Sequence, residues 1–344
     1  MKRIFSGIRA LAAISAVKLG GRIPFYCEWE ITDCCTMNCW FCGTRNTARP
    51  LSDGISTGDA LRTIDSLSGL GCGIIHFSGG EPTLRTDLGN LIRSAKKKGI
   101  ITAVTTNGSG SEHSRNYLLA ANLVMVSIDG PEDFHDRGRD CPGAFRKALE
   151  TVKYLLSQGK KPVITAVYTR GSSYRVLQEL AGLTGSLGVK LSVKNQGRNV
   201  NASVEETLAD HATGDLNSTY YRKFLETVGR LSREFGSMVE CPDAVLTAVR
   251  LGGLSEVGCR AMDIAVSIKA DGRISFPCNG LSISLLAGDL KNIYYGEQAR
   301  AVRRFQGTHP VCDGCTIPCM AQASALVTLR GLMKTVGSYG NRIT

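Results

Sequence analysis

The stretch Asp33–Gly43 reads D-C-C-T-M-N-C-W-F-C-G and carries three cysteines at the spacing C-x3-C-x2-C, counted from Cys35. Cys39 and Cys42 complete the motif. Three thiolates this close together can surround one face of a 4Fe–4S cube and leave one iron without a protein ligand. The alternative is a zinc site, but structural zinc modules usually combine paired cysteine halves and four ligands. The spacing therefore favours an iron–sulfur cluster.

The cysteine count of the whole chain supports metal ligation. The 344 residues include 13 cysteines, an odd number, and the closely spaced ones form two groups, at 35, 39 and 42 and at 312, 315 and 319. Grouped cysteines of this kind indicate metal sites in a reducing compartment rather than a disulfide framework. No apolar run reaches the roughly 18–20 residues of a membrane helix. We therefore expect a cytoplasmic protein.

The N-terminal segment is basic and amphipathic. Residues 1–22 contain five Lys or Arg and no acidic residue, within a chain whose net charge is +11. Ile4, Phe5, Ile8 and Leu11 recur at helical spacing, so we predict a basic amphipathic helix within residues 1–26. The favoured interpretation is packing against the protein itself, and the alternative is peripheral contact with the inner membrane surface. The dense basic patch interleaved with aromatic residues that marks nucleic-acid binding is not seen, so no nucleic acid is expected.

From Glu28 to Asn195 the chain alternates apolar runs with amphipathic helical patterns. Ile- and Val-rich runs of this kind are typical of parallel strands that are covered by helices. Six such units predict an α/β fold, a partial (β/α)6 TIM-like barrel with an open side. The predicted strands are Glu28–Thr32, Gly73–Ser78, Ile101–Thr105, Leu123–Ile128, Pro162–Tyr168 and Val189–Val193.

The chain changes character towards its C-terminus. Residues 196–216 are polar and resemble a linker, a helical pattern follows, and from about Glu240 short runs are interrupted by Gly, Pro and Cys. We therefore predict a barrel domain over residues 27–236 and a small Cys-rich iron–sulfur domain over residues 237–344.

A second motif follows the second predicted strand. Ser78 is followed by Gly79, Gly80, Glu81 and Pro82, and the two glycines would let the backbone approach a ligand closely. Together with the cysteine motif on the loop after the first strand, this G-G-E-P resembles the radical S-adenosylmethionine (SAM) superfamily. The resemblance implies that SAM binds the open iron of the 4Fe–4S cluster and is reductively cleaved to a 5′-deoxyadenosyl radical. It also implies that Phe41 packs near the adenine.

Further polar residues match the family pattern in chain order. Asn107 follows the third strand, Ser127 and Asp129 end the fourth, and Arg139 lies in a segment that resembles the family's H-D-x-x-R. The resemblance implies that Arg139 meets the SAM carboxylate and that the other three lie against SAM. All fall at or just beyond the carboxyl ends of strands, where α/β barrels build their sites. A residue that handles a radical or a proton is not identified.

The C-terminal cysteines resemble the SPASM/twitch extension of radical SAM enzymes, which carries auxiliary iron–sulfur clusters. A full SPASM domain has seven cysteines, whereas five remain here, so we predict one auxiliary 4Fe–4S cluster; a structural zinc is the alternative. The spacing between Gly272 and the cysteine that follows it also departs from the family by one residue. The candidate ligands are Cys259, Cys278, Cys312, Cys315 and Cys319.

The substrate is the least determined feature, because the fold alone does not choose it. The basic, apolar ends of the chain favour a hydrophobic or anionic, lipid-like metabolite that is attacked at a C–H bond. The alternative is a radical SAM maturase of a peptide, a protein or a tetrapyrrole. A non-enzymatic electron carrier would not need the G-G-E-P segment, Asn107 or Arg139. The reaction implies a reductase, flavodoxin or ferredoxin as electron donor.

Overall fold

The computed structural model describes residues 15–17, 19–42, 54–196, 219–241, 245–247, 258–275, 285–286 and 290–308, together with Cys312, Ala321 and Ser324. The apolar stripe that is predicted near the N-terminus lies outside the described residues. Val17 is fully buried in the core, whereas Leu19 is 89% exposed. Among the described helices, none has the length and apolar character required to cross a membrane.

Six parallel strands form the centre of the fold in chain order, so the predicted partial barrel is confirmed. Each pairs with the next, and the crossovers contain helices. The sixth strand runs two residues further than predicted. The prediction ended at Val193 because the next two residues, Lys194 and Asn195, are polar and break the apolar pattern. The strands are β1 (Tyr26–Thr32), β2 (Ile74–Gly79), β3 (Ile101–Thr106), β4 (Leu123–Ser127), β5 (Val163–Tyr168) and β6 (Lys190–Asn195).

Helices cover the outer face of this sheet. Serine side chains cap three of them, with Ser56, Ser111 and Ser173 each accepting a hydrogen bond from a backbone N–H of the first turn. The barrel helices are α1 (Thr57–Gly69), α2 (Leu88–Lys97), α3 (Glu112–Leu118), α4 (Glu132–Arg139), α5 (Ala144–Ser157), α6 (Tyr174–Ser186) and α7 (Thr219–Phe235).

The C-terminal region extends the same sheet. β7 (Val239–Glu240) pairs with β6, and β8 (Ala265–Ile268) pairs in parallel with β1. β9 (Arg273–Ser275) and β10 (Leu285–Leu286) continue antiparallel beyond β8. The predicted boundary near residue 237 therefore does not separate two sheets. Three further α-helices are α8 (Ala261–Ile264), α9 (Leu290–Tyr295) and α10 (Glu297–Arg303), and Pro82–Leu84 and Gly236–Met238 form 3-10 helices.

The two faces of β1 differ in burial. Cys27, Trp29 and Ile31 are fully buried on the helix-covered face. The alternate residues Tyr26, Glu28 and Glu30 point to the inner face of the barrel and are half-buried. β6 shows the same alternation, whereas all five residues of β4 are buried. The inner face thus remains partly open beside the two strands that end the six-stranded arc.

Candidate active site

The cysteine loop is held against the second strand by two short backbone hydrogen bonds. The N–H of Gly80 donates to the carbonyl of Thr32, and the N–H of Glu81 donates to the carbonyl of Cys34, both at 2.7 Å. A Cβ atom at Gly80 would lie 2.0 Å from the oxygen of Cys34, so the contact requires glycine. Gly79 adopts φ +121°, where a Cβ atom would meet the oxygen of Thr32 at 2.2 Å. The close approach that the glycines permit is therefore made by the cysteine loop itself.

Glu81 joins this turn to the end of the third strand. Its carboxylate is fully buried and accepts four hydrogen bonds: Oε1 from the N–H and hydroxyl of Thr83 and from the hydroxyl of Thr106, and Oε2 from the N–H of Asn107 at 2.6 Å. Burial raises the pKa of the Glu81 carboxyl, although these donors oppose the shift. With both oxygens engaged by the protein, Glu81 is placed to hold the two strand ends together rather than to bind a ligand.

Asn107 lies beside the first cysteine of the motif. Its amide nitrogen is 3.6 Å from the sulfur of Cys35 and 3.5 Å from the hydroxyl of Thr36, and its Oδ1 accepts from the N–H of Ser109 at 2.8 Å. The hydroxyls of Thr36 and Ser109 lie 2.5 Å apart. Hydrogen bonds to ligating sulfurs are one means by which a protein tunes an iron–sulfur cluster. The loop after the third strand therefore supplies a donor to the cysteine loop.

Arg139 lies beside the second cysteine and the aromatic residue of the motif. Its Nε donates to Oδ2 of Asp129 at 2.8 Å, and its guanidinium carbon is 5.6 Å from the ring centre of Phe41. The other carboxylate oxygen of Asp129 accepts from the N–H of Val167 on β5. Burial opposes ionisation of Asp129, but the Arg139 guanidinium holds the pKa of that carboxyl below its usual range. Asp129 thus fixes Arg139, while the guanidinium's remaining N–H groups can serve a ligand.

His135 holds the backbone of the Arg139–Asp129 pair in place through a hydrogen bond. The ring is fully buried, and its Nδ1 accepts a hydrogen bond from the backbone N–H of Asp129 at 3.1 Å. Burial lowers the pKa of His135 to about 4, so the ring is neutral near pH 7. Nδ1 carries no proton, because a proton there would point at the Asp129 N–H. The sequence suggested His135 only as a motif residue, without this role.

The thiols of the cysteine motif interact electrostatically with one another and with Arg139. The electrostatic partners that act on Cys39 include Cys35, Cys42 and the positive charge of Arg139. Burial raises the pKa of the Cys39 thiol to about 11, so a bound cation and Arg139 would be needed to favour its thiolate. Three thiols beside one guanidinium are a donor set that a 4Fe–4S cluster would use.

The C-terminal cysteines are described only in part. Cys259 and Cys312 are described and interact electrostatically, and burial raises the pKa of the Cys259 thiol. The sulfur of Cys259 is 3.8 Å from the hydroxyl of Ser324. Cys278, Cys315 and Cys319 lie outside the described residues. The auxiliary cluster therefore stays a prediction.

The strand ends bring together most of the residues that the sequence singled out. Ser127 lies at the end of β4 and is 7% exposed, on the same face as Thr165 of the paired strand. Their roles toward SAM remain predictions. A second group of polar residues, Glu28, His76 and Thr105, went unnoticed although it lies on the inner face. The sequence pattern that could have predicted this group is the alternation of polar with apolar residues in Tyr26–Glu30 and in His76–Ser78.

The Glu81 contacts predict a specific sensitivity. Glu81→Gln replaces one acceptor oxygen by an NH2 group, which then faces either the Asn107 N–H or the Thr83 and Thr106 donors. We expect a loss of about 1–3 kcal/mol in the free energy of unfolding by urea, and weaker retention of iron during gel filtration. Glu226→Gln, on the exposed side of α7, is the matched control. Wild-type stability and iron content in Glu81→Gln would contradict the positioning role.

The burial of His135 predicts a pH effect on stability. Its folded pKa of about 4 lies below the usual value near 6.5, so the unfolded chain takes up the proton first as the pH falls. The free energy of unfolding should therefore decrease between pH 7.5 and pH 5, by about 2 kcal/mol more in the wild type than in His135→Gln. Urea unfolding at both pH values measures this difference, with His113→Gln, an exposed histidine, as the control. Equal pH dependence in wild type and His135→Gln would refute it.

Comparison with known proteins agrees with this geometry. The sequence profile of the radical SAM superfamily matches residues 29–183. The AdoMet-dependent heme synthase of Oleidesulfovibrio alaskensis is 24% identical over 318 residues, which cover 83% of this chain and 81% of that protein. The sporulation killing factor maturation protein SkfB of Bacillus subtilis is 28% identical over 152 residues, 43% of this chain and 37% of its own length. The latter match spans little more than a third of that relative.

A solved structure shows the same fold. SuiB of Streptococcus suis, bound to S-adenosylmethionine, superposes with a TM-score of 0.64 at 20% identity, over 85% of this chain and 70% of SuiB. The profile, the relatives and the fold agree with the cysteine motif at the strand ends. Residues 29–183 therefore form a radical SAM domain, and the chain is an enzyme that uses a 4Fe–4S cluster and S-adenosylmethionine.

Proposed function

We propose that this chain is a radical SAM maturase that oxidises a tetrapyrrole at a C–H bond. The observation that carries the substrate class is the likeness to a heme synthase along 83% of the chain, well beyond the shared radical SAM domain. The lipid-like substrate favoured by the basic ends of the chain has no support among these relatives. The tetrapyrrole belongs to the alternative that the sequence left open.

The cofactors supply the radical chemistry when they are bound: the cluster, reduced by a flavodoxin, ferredoxin or reductase, cleaves SAM to methionine and a 5′-deoxyadenosyl radical. Cys35, Cys39 and Cys42 would hold three irons, with the Asn107 amide donating to the sulfur of Cys35. Arg139, whose Nε donates to Asp129, would bind the SAM carboxylate through its remaining N–H groups, because a guanidinium matches carboxylate geometry. Phe41 lies against Arg139 and would offer its ring to the adenine.

The inner face of the barrel is the proposed substrate site. Ser127 at the end of β4 lies on this face, and the faces of β1 and β6 are half-buried there. Cys259 and Cys312, together with further ligands among the remaining C-terminal cysteines, would hold the auxiliary cluster. That cluster would accept the electron that the substrate radical gives up. A peptide is the second candidate substrate, favoured by the likeness to SkfB, a maturation protein, although that match is confined to 43% of this chain.

The proposal predicts which variants lose which activity. After anaerobic reconstitution, the triple variant Cys35→Ala/Cys39→Ala/Cys42→Ala should lose about four irons per chain and all dithionite-driven 5′-deoxyadenosine formation. Cys141→Ala, outside the motif, is the matched control. Iron content and 5′-deoxyadenosine, measured on the same samples, test the radical SAM site. Retention of SAM cleavage by the triple variant would contradict it.

The substrate class is tested separately. Wild-type enzyme is incubated with SAM, dithionite and a set of iron porphyrins that differ in their carboxylate side chains, and the porphyrin mass is followed. We expect a mass change that requires SAM and matches the 5′-deoxyadenosine formed. Conversion of a cysteine-containing peptide instead, with every porphyrin unchanged, would replace the tetrapyrrole by the peptide.

A further inference from the structure

A hydroxyl, an imidazole and a carboxylate are hydrogen-bonded in series on the inner face of the barrel. Nε2 of His76 lies 2.7 Å from the hydroxyl oxygen of Thr105, and Nδ1 of His76 lies 2.9 Å from Oε2 of Glu28. Glu28 also accepts from the hydroxyls of Tyr26 and Ser78, at 2.5 and 2.6 Å. The three members come from three adjacent strands, so the sheet register fixes their order.

The contacts of Glu28 determine where His76 carries its proton. Burial alone would raise the pKa of Glu28, but the His76 charge and the hydrogen bonds from His76, Ser78 and Tyr26 lower it to about 2. An ionised carboxylate only accepts hydrogen bonds, so Nδ1 must be the protonated nitrogen. Nε2 of the neutral ring is then a hydrogen-bond acceptor, and it faces the hydroxyl of Thr105.

This network is accessible from the inner face and not from the helix layer. The side chains of His76 and Glu28 are 11% and 21% exposed, and Thr105 is half-buried. Their neighbours on the opposite face, such as Trp29, Phe77 and Val104, are fully buried under the helices. The exposed part of the network therefore faces the space in which a substrate of the barrel would lie.

We propose that Thr105, His76 and Glu28 form a proton relay that accepts a proton from the substrate; the assignment rests on the proposed function. The carbon radical left by hydrogen-atom abstraction makes an adjacent X–H group more acidic. That X–H bond breaks as its proton moves to the Thr105 hydroxyl, whose own proton forms a new bond to Nε2 of His76. The resulting imidazolium is stabilised by the Glu28 carboxylate, and no electron moves in this step.

Few other charges act on the relay. Glu30 lies next to Glu28 on the inner face of β1 and is neutralised by Lys269 at 2.7 Å. The hydroxyls of Tyr26 and Ser78 donate to Glu28, and the Tyr26 hydroxyl also lies 3.0 Å from Nδ1 of His76. The inner-face residues of β3 and β4 that surround Thr105, including Ala103 and Met125, are uncharged.

The relay predicts that its residues couple SAM cleavage to product formation. We expect the ratio of converted substrate to 5′-deoxyadenosine to fall by about 100-fold in His76→Gln and in Thr105→Val. His113→Gln, on the outside of the barrel, is the control and should match the wild type. An unchanged ratio in His76→Gln would overturn the relay.

A second measurement decides the relay even without a known substrate. The holoenzyme is labelled with 15N-histidine, and the ring nitrogens of His76, assigned by their loss in His76→Gln, are observed by NMR under conditions in which the ring is neutral. We expect the proton of the neutral ring on Nδ1, beside Glu28, and none on Nε2. The opposite tautomer, with the proton on Nε2, would rule out the relay. Failure of every porphyrin and peptide to react would instead count against the proposed function and leave this result standing.

Discussion

The close backbone contact between the cysteine loop and the turn at Gly79–Glu81 is the constraint on which the site depends. Two hydrogen bonds of 2.7 Å join these segments, and a side chain at Gly80 would collide with the Cys34 carbonyl. Glu81 then extends the connection to β3 through Thr106 and Asn107. The backbone at the start of the cysteine loop is thereby held against the ends of three strands, and such preorganisation limits the reorganisation that binding and catalysis require.

The same sheet separates two kinds of chemistry. At the strand ends lie the cysteines, Asn107 and the Arg139–Asp129 pair, which we propose to serve the cofactors. Below them, on the inner face, lie Glu28, His76 and Thr105, which the proposed relay assigns to the substrate. The register of parallel pairing produces both groups, because residues at equal heights on adjacent strands become neighbours. One enzyme can therefore generate a radical at one level of the barrel and handle protons at another.

Much of this arrangement could be predicted from the sequence, since it depends on local patterns. The apolar runs located all six strands, and the spacing of Cys35, Cys39 and Cys42 with the G-G-E-P segment indicated the chemistry. The predictions were incomplete where partners lie far apart in the chain, as with Glu28 and His76, which meet across 48 positions. They also could not show that β8 extends the barrel sheet beside β1, because that pairing depends on tertiary packing. The lipid-like substrate that the charged chain ends favoured has no support among the relatives, and charged ends describe solubility and surfaces better than a binding cavity.

The central claim is that the cysteine motif leaves one cluster iron open to SAM. Electron–nuclear double resonance on the dithionite-reduced enzyme, with SAM labelled by 17O in its carboxylate and 15N in its amine, tests this most directly. The account predicts that SAM changes the electron paramagnetic resonance spectrum and that both labels couple to the cluster spin. An unchanged spectrum without coupling to either label would mean that the cluster has no iron available to SAM, and it would contradict the account.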